Sequence, residues 1–126
     1  MKSRYLLDTH ILLWLNSELK RIPKAVIAKL DEAEQVYYSA ASAWELSIKQ
    51  SIGKIRLAEP VSAFAAQGSL LELPVTTQYA QAAASLPLHH RDPFDRMLVA
   101  QAMVEGLILI TADHRLSSYE ARTLVI

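Results

Sequence analysis

Short apolar segments alternate with helical patterns along this chain, and this alternation restricts its fold more than any other feature. The segments with the length and apolar character of strands are residues 5–7, 36–38, 70–75, 107–110 and 123–126. Several are apolar at consecutive positions, which is typical of strands covered on both faces in a parallel sheet. Strands that alternate with helices favour a layered α/β fold with a mainly parallel sheet.

Helical patterns fill the intervals between these segments. One begins at residues 11–15, and the others span residues 23–33, 41–52, 76–86 and 93–104. The apolar residues of segment 41–52 share one helical face, namely Ala41, Trp44, Ile48 and Ile52. Trp44 can line a surface that binds another protein, but an apolar helical face more often packs against the core, so we expect Trp44 to be buried.

The composition is that of a folded domain without a strong charge bias. The chain has 126 residues, 52% of them hydrophobic, so we expect a single domain over residues 1–126. Its 13 Lys and Arg residues balance its 13 Asp and Glu residues, which argues against a surface coated with basic charge for nonspecific nucleic-acid binding. This balance is compatible with a local basic patch. The absence of cysteine excludes disulfides, zinc–thiolate sites and thiol nucleophiles.

The sequence gives no sign of a membrane or secretory segment. No stretch approaches the roughly 20 apolar residues that a membrane helix needs. The N-terminus passes from Met-Lys-Ser-Arg into only a short apolar run, unlike a signal peptide. We therefore expect a cytoplasmic protein with no membrane partner.

Four acidic residues occupy positions from which they can meet. Asp8 directly follows segment 5–7, and Asp113 lies shortly after segment 107–110. Ligands of parallel α/β sheets bind outside the carboxyl ends of the strands. Glu45 and Asp95 lie in the first half of predicted helices that begin at the same edge. The four carboxylates can therefore converge although they are far apart in the sequence.

Such a group of carboxylates needs neutralisation, because like charges repel one another unless protons or a cation compensate them. Oxygen ligands in a chain without cysteine favour Mg²⁺, with Mn²⁺ as a substitute, over zinc. A metal ion held in this way orients a water, lowers the pKa of that water and neutralises a phosphodiester in the transition state. The chemistry that fits best is phosphodiester hydrolysis.

Each acid also has a purely structural explanation. Asp8 and Asp113 can cap the helical turns that follow them. Glu45 can form an ion pair with Lys49 one helical turn later. In the run Asp92-Pro93-Phe94-Asp95, Asp92 has the position of an N-cap. Asp95 is then either part of a capping box or a functional acid beside a structural one. Only the shared location of the four acids favours function.

Four stretches resemble, in the same order, the motifs of the PIN domain family, and in particular its VapC-type toxins of toxin–antitoxin pairs. They are YLLDTH (5–10), SAASAWELSIK (39–49), HRDPFDRMLVAQA (90–102) and LITAD (109–113). The resemblance spans nearly the whole chain and implies a three-layer α/β/α fold with a five-stranded, mainly parallel sheet.

The resemblance also implies a function and a site. It makes Asp8, Glu45, Asp95 and Asp113 the ligands of Mg²⁺, with Thr9 and Thr111 supporting them through hydroxyl hydrogen bonds. It implies that the protein cuts RNA by metal-activated water, leaving a 5′-phosphate and a 3′-hydroxyl. It further implies a homodimer and an antitoxin protein that occupies a groove beside the active site.

The basic residues around the acids are open to two interpretations. Arg96 is the cation best placed to contact an RNA phosphate, although it can instead restrain the acids by an ion pair. His10, His89 and His90 can transfer protons or bind phosphate, but a lone histidine in such a place is more often structural or solvated.

Two rival functions remain for the chain. The first is a phosphatase resembling the haloacid dehalogenase family, with Asp8 as nucleophile. Such enzymes carry a second Asp two positions later, where this chain has His10. The second is a non-catalytic PIN-like binding module, for which loss of the metal acids is expected, yet all four are present. A nucleotide-binding domain is disfavoured by the absence of glycine-rich phosphate loops.

Overall fold

The computed structural model describes residues 2–126, and its centre is a sheet of five parallel strands. The strands are β1 (Arg4–Leu7), β2 (Gln35–Ser39), β3 (Leu71–Leu73), β4 (Ile108–Thr111) and β5 (Thr123–Val125). Their order is β3-β2-β1-β4-β5, so the chain winds to one side of β1 first and then to the other. Ligands of open α/β sheets bind at such a reversal of winding. The predicted five-stranded parallel sheet is confirmed.

Six α-helices connect these strands. They are α1 (Thr9–Ser17), α2 (Lys24–Asp31), α3 (Ala40–Ser51), α4 (Val61–Gln67), α5 (Thr77–Ala84) and α6 (Pro93–Glu105). Two 3-10 turns lie at Leu19–Arg21 and His114–Ser118. Within residues 2–126, no helix is both long and apolar enough to cross a membrane.

The alternation of side chains along β1 divides the core into two layers. Tyr5 and Leu7 lie in one apolar cluster with Leu46 of α3, and this cluster also contains residues of α1, α2 and α4. Leu6 lies in the other cluster with Leu98 of α6, against which α5 packs. Burial of each leucine contributes about 2 kcal/mol. The sheet is therefore covered on both faces, which explains why its strands are apolar at consecutive positions.

The predicted burial of Trp44 is wrong. Its side chain is 65% exposed, and Ile52, on the same helical face, is 60% exposed. Ala41, at the start of the predicted face, is buried, but the other buried residues of α3 are Ser42, Glu45 and Leu46. The buried face is polar near its N-terminus because it lies against the end of α1 and the carboxyl edge of the sheet, so hydrophobicity alone selects the wrong side.

Helix α4 is an element that the sequence patterns did not predict. It has 7 residues, begins after Pro60, and buries Val61 and Ala65. A helix of this length contains about two turns, which is too few for a clear apolar period. Its stability comes from packing against the cluster that contains Leu7.

Gly106 ends α6 in the left-handed conformation, with φ of 67°. We expect Gly106→Ala to lower the free energy of unfolding by about 1 kcal/mol, because a Cβ is strained at this φ even though the space around it is open. Gly68→Ala is the matched control, since Gly68 has φ of −88°. Urea denaturation measures both; equal effects of the two substitutions would contradict the assignment of strain to Gly106.

Candidate functional site

A cavity of about 550 Å³ opens at the carboxyl edge of the sheet. Its lining includes all four acids singled out in the sequence, Asp8, Glu45, Asp95 and Asp113. Two of them follow the adjacent central strands β1 and β4, and the other two lie on α3 and α6. The fold thus gathers the four carboxylates at one place, while their chemical roles stay predictions.

Asp8 is the most deeply buried of these acids, with 3% of its surface exposed. One carboxylate oxygen accepts a hydrogen bond from the Ile11 backbone N–H (3.0 Å), which caps α1, and the other accepts from the Thr111 hydroxyl. Burial raises the pKa of Asp8 in spite of these hydrogen bonds, because desolvation penalises the charged carboxylate. Asp8 is therefore a capping residue whose charged form is disfavoured by burial.

The two threonines predicted to support the acids have different partners. The Thr111 hydroxyl donates to Asp8 and accepts from the Asp113 backbone N–H (3.0 Å), so it connects two of the acids. The Thr9 hydroxyl is hydrogen-bonded to the Ser42 hydroxyl (2.9 Å) and holds α1 against α3. Thr9 therefore acts on the helix that carries Glu45 rather than on a carboxylate directly.

Glu45 combines both interpretations that the sequence left open. Its carboxylate lies 3.0 Å from the Lys49 ammonium at i+4, as in a surface ion pair. Yet only 9% of the residue is exposed, and it faces the cavity. The ion pair partly compensates Glu45 without removing it from the cluster.

Asp92, and not Asp95, is the residue that caps α6. The Asp92 carboxylate accepts from the backbone N–H groups of Phe94 (2.8 Å) and Asp95 (3.3 Å), with Pro93 in the first turn of α6. Burial, as the largest cause, and the negative charges of Asp92, Asp8 and Glu45 together raise the pKa of Asp95 to about 7, against a lowering by His90. The surroundings of this carboxyl therefore disfavour its charged form.

The pKa of Asp113, in contrast, is lowered. The Arg115 guanidinium donates to both of its carboxylate oxygens, at 3.0 and 2.8 Å, and holds the pKa of Asp113 at about 2. Its carboxylate also caps the 3-10 turn that follows, by accepting from the Arg115 backbone N–H (2.9 Å). The environment of Asp113 therefore keeps this acid ionised.

His90 joins the last two acids. Its Nε2 atom lies 3.1 Å from Asp95 Oδ2 and 3.3 Å from Asp113 Oδ2. Ligand atoms of these three residues lie within 4.8 Å of one another, close enough to share one metal ion. The arrangement is an acidic centre bordered by Lys49, Arg115 and His90.

Nearly the whole chain matches one known protein family. The model of the PIN domain family, described as PIN domain, matches residues 5–121. The chain belongs to the PIN domain family. It is also 32% identical over 117 residues to a protein named ribonuclease VapC22 from Mycobacterium tuberculosis, with 90% of each chain covered.

Solved structures share the fold of this PIN domain. A structure of VapBC2 from Rickettsia felis, bound to a DNA fragment from their promoter, has a TM-score of 0.72 at 12% identity and covers 97% of this chain and 98% of its own. DNA-bound VapBC from Salmonella typhimurium has a TM-score of 0.70 at 17% identity, with 99% and 98% covered. FitAcB from Neisseria gonorrhoeae has a TM-score of 0.63 at 21% identity, with 95% and 96% covered. At these identities the likeness establishes the three-layer fold of the PIN domain.

The contacts of Arg96 differ from both roles that the sequence suggested. Its guanidinium donates to four backbone carbonyls, those of Ala83 (2.9 Å), Leu86 (2.9 Å), Pro87 (3.0 Å) and His90 (3.2 Å). Among residues 2–126, no ion pair joins it to an acid of the cluster. Its contacts thus fix the segment between α5 and α6, and a contact with an RNA phosphate stays a prediction.

We expect Arg96→Ala to lower the free energy of unfolding by about 2 kcal/mol, because four backbone carbonyls, three of them in partly buried contacts, lose a charged donor. Arg96→Lys restores little, since an ammonium cannot reproduce the fork of guanidinium donors. Arg91→Ala, in the same segment but exposed, is the control and leaves stability nearly unchanged. Urea denaturation measures stability; an unchanged Arg96→Ala protein with a weaker salt dependence of RNA binding would instead assign Arg96 to phosphate contact.

Sequence reasoning undervalued two members of this site, His90 and Arg115. His90 stood among several histidines in a loop, and Arg115 is an exposed residue two positions after an acid. The available signal was proximity in sequence to Asp92 and Asp113. It does not distinguish a side chain aimed at the cavity from one directed into water.

Proposed function

We propose that this PIN domain protein is a divalent-metal-dependent endoribonuclease, and the toxin of a VapBC-type toxin–antitoxin pair, with residues 1–126 as one domain. The observation that carries the proposal is the convergence of Asp8, Glu45, Asp95 and Asp113 on one cavity. The 32% identity to a protein named ribonuclease VapC22 supports it. Mg²⁺ is the proposed cofactor, with Mn²⁺ as a substitute.

The donor set fits a hard divalent cation. It offers carboxylate oxygens, which Mg²⁺ prefers. Burial raises the pKa of Asp8, and burial together with neighbouring acids raises that of Asp95, so a bound cation would offset the cost of ionising both groups. Asp8, Glu45, Asp95 and Asp113 would hold the ion. When bound, the ion supplies an activated water and neutralises charge on a phosphodiester.

The chain's own residues prepare and border this centre. The Thr111 hydroxyl and the Ile11 N–H hold the Asp8 carboxylate in one orientation. Lys49 and Arg115 lie at the rim of the cavity, where their free donors can bind RNA phosphates. Because both cations already pair with cluster acids, substrate binding would redistribute contacts within the site.

The environment of Asp8 disfavours the phosphatase alternative. A nucleophilic carboxylate must be approached in line by a phosphoryl group with its substituents. Only 3% of Asp8 is exposed, which leaves little room for that approach, and His10 stands where such phosphatases carry a second Asp. A single ion is much smaller, so the site supports a ligand role for Asp8 better than a nucleophilic one.

The exposed apolar surface beside the cavity supports the proposed protein partners. Trp44 packs edge-on against Phe94 with ring centroids 5.5 Å apart, and both line an apolar groove with Val75 and Met97. Contiguous exposed apolar patches mark interaction sites. We propose that an antitoxin and a second copy of the chain use the surfaces around the site, in the cytoplasm.

The test of the enzymatic proposal is cleavage of unpaired RNA of random sequence by the purified chain. We expect cleavage with Mg²⁺, none after addition of EDTA, and recovery when Mg²⁺ is restored, with 5′-phosphate ends on the products. A single-stranded DNA of matching composition is the control for substrate class. Cleavage that persists unchanged in EDTA would contradict metal dependence.

A further inference from the structure

One histidine, His90, contacts both Asp95 and Asp113, and its hydrogen bonds indicate its role. We propose that His90 is a positioning residue, fixed as the Nε2–H tautomer, whose N–H holds the Asp113 carboxylate beside Asp95 without itself binding metal. The inference rests on the proposed function, because it concerns how the same acids are prepared for a cation.

The tautomer follows from the other ring nitrogen. The Asp92 backbone N–H donates to His90 Nδ1 at 3.0 Å. Nδ1 can accept this bond only through its lone pair, so it carries no hydrogen. A neutral imidazole has one N–H, which therefore lies on Nε2.

The Nε2–H group lies between two carboxylates from different parts of the fold. It donates to Asp113 Oδ2 at 3.3 Å, and Asp95 Oδ2 lies 3.1 Å from the same nitrogen. Asp95 belongs to the first turn of α6, whereas Asp113 follows β4. The hydrogen bond fixes the Asp113 carboxylate, and the positive end of the N–H dipole offsets part of the repulsion between the two acids.

The imidazole is held firmly enough to position its neighbours. Its side chain is 8% exposed. The His90 backbone N–H donates to the Tyr119 hydroxyl (2.9 Å), and its carbonyl accepts from Arg96 (3.2 Å). Together with the Nδ1 bond, these contacts fix the backbone and the ring, so the position of Nε2 is set before any ligand arrives.

A direct ligand role for His90 conflicts with the same hydrogen bond. Ligation through Nε2 needs a lone pair there, which moves the hydrogen to Nδ1. Nδ1 would then face the Asp92 N–H as a second donor, and that bond would be lost. The closeness of His90 to the two acids is thus better explained by hydrogen bonding than by metal coordination.

Two substitutions separate the two functions of the ring. In His90→Asn the amide oxygen takes the place of Nδ1 and still accepts from Asp92, but the donor at Nε2 is removed. In His90→Gln the amide group reaches the place of Nε2 and restores the donor. We expect His90→Asn to weaken Mn²⁺ binding by about 10- to 100-fold, as for other residues that orient metal ligands, and His90→Gln to recover most of the affinity.

Electron paramagnetic resonance of free Mn²⁺ measures these affinities on each purified, full-length chain, with His89→Asn as the control at an exposed neighbouring histidine. Thermal unfolding checks that the variants are folded. Equal losses in His90→Asn and His90→Gln would contradict a donor role for the Nε2–H group. No loss in either variant would also overturn the inference.

The tautomer is measured independently by two-bond ¹H–¹⁵N correlation spectra, with the His90 signals assigned by their absence in His90→Asn. We expect the Nε2–H form in metal-free protein and its persistence when Mg²⁺ is added. An Nδ1–H form in either state contradicts the proposal. A wild-type chain that binds no Mn²⁺ would contradict the proposed function. The tautomer in metal-free protein tests the inference on His90 independently of metal binding.

Discussion

Asp8→Asn is expected to reduce Mg²⁺-dependent RNA cleavage by roughly 100-fold or more, because it removes charge and basicity from the best-ordered carboxylate of the site. The amide oxygen of Asn is a far weaker ligand than a carboxylate. The measurement is the initial rate of RNA cleavage at saturating Mg²⁺. Asp31→Asn, which changes an exposed acid at the end of α2, is the matched control and leaves the rate unchanged.

The same substitution should not unfold the protein. Asn caps helices about as well as Asp, so the bond from the Ile11 N–H is retained. Burial raises the pKa of Asp8, so the folded state disfavours the charged form that Asn eliminates. At pH 7 without metal, Asp8→Asn should therefore unfold at the same temperature as the wild type or higher. Loss of activity together with a lowered melting temperature would reduce Asp8 to a structural residue.

Asp8 and Asp113 were the acids that the sequence alone placed best. Each follows a strand whose apolar residues are recognisable, and β1 and β4 are neighbours in the sheet. The carboxyl ends of parallel neighbours lie together whatever the loops do. The position of these two residues is therefore a property of the topology, and a correct strand assignment was sufficient.

Glu45 and Trp44 show where sequence patterns reach their limit. The apolar face of α3 predicted burial of Trp44, and an ion pair with Lys49 was a sufficient explanation of Glu45, whereas Trp44 is exposed and Glu45 is buried. Helical periodicity assumes that apolar residues face the core. That assumption is unsuitable for a helix whose inner face lines a charged cavity and whose outer face remains available to partners. The family resemblance, and no local pattern, selected Glu45.

The contacts of Arg96 and His90 were beyond prediction for a different reason. They depend on bonds to single backbone groups, such as the Asp92 N–H and the Ala83 carbonyl, whose positions are set only when α5 and α6 have packed. Composition and spacing carry no information on where such groups point. The predicted phosphate contact of Arg96 considered its charge but not these carbonyl partners.

Asp95 should make the metal-free protein less stable as the pH rises from 4 to 7. Its pKa in the folded state is about 7, against 3.8 for the ordinary group, so the folded state binds a proton more tightly than the unfolded chain. That stability is fully present below about pH 4 and is lost as the pH rises through 7. Asp113, with its pKa lowered to about 2, changes stability only below this range.

Asp95→Asn isolates this effect, because a neutral amide has no proton to lose. At pH 7 without metal, we expect Asp95→Asn to be more stable than the wild type by about 2 kcal/mol, after allowance for screening by water at a partly exposed side chain. At pH 4 the two proteins should be equally stable. Urea denaturation of chelator-treated protein at each pH gives the comparison, and a wild-type stability independent of pH would contradict the raised pKa of Asp95.

Addition of metal should reverse the order of the two proteins. Mg²⁺ at 100 times its dissociation constant stabilises a folded protein by about 2.7 kcal/mol, provided that the unfolded chain does not bind it. We expect this gain for the wild type at pH 7, much less at pH 4, where protons compete for the carboxylates, and little for Asp95→Asn at either pH. Carboxylates that destabilise the metal-free protein and stabilise the Mg²⁺-bound protein are acting as metal ligands. If Asp95 is purely structural, the pH dependence of the free energy of unfolding will be the same with and without Mg²⁺.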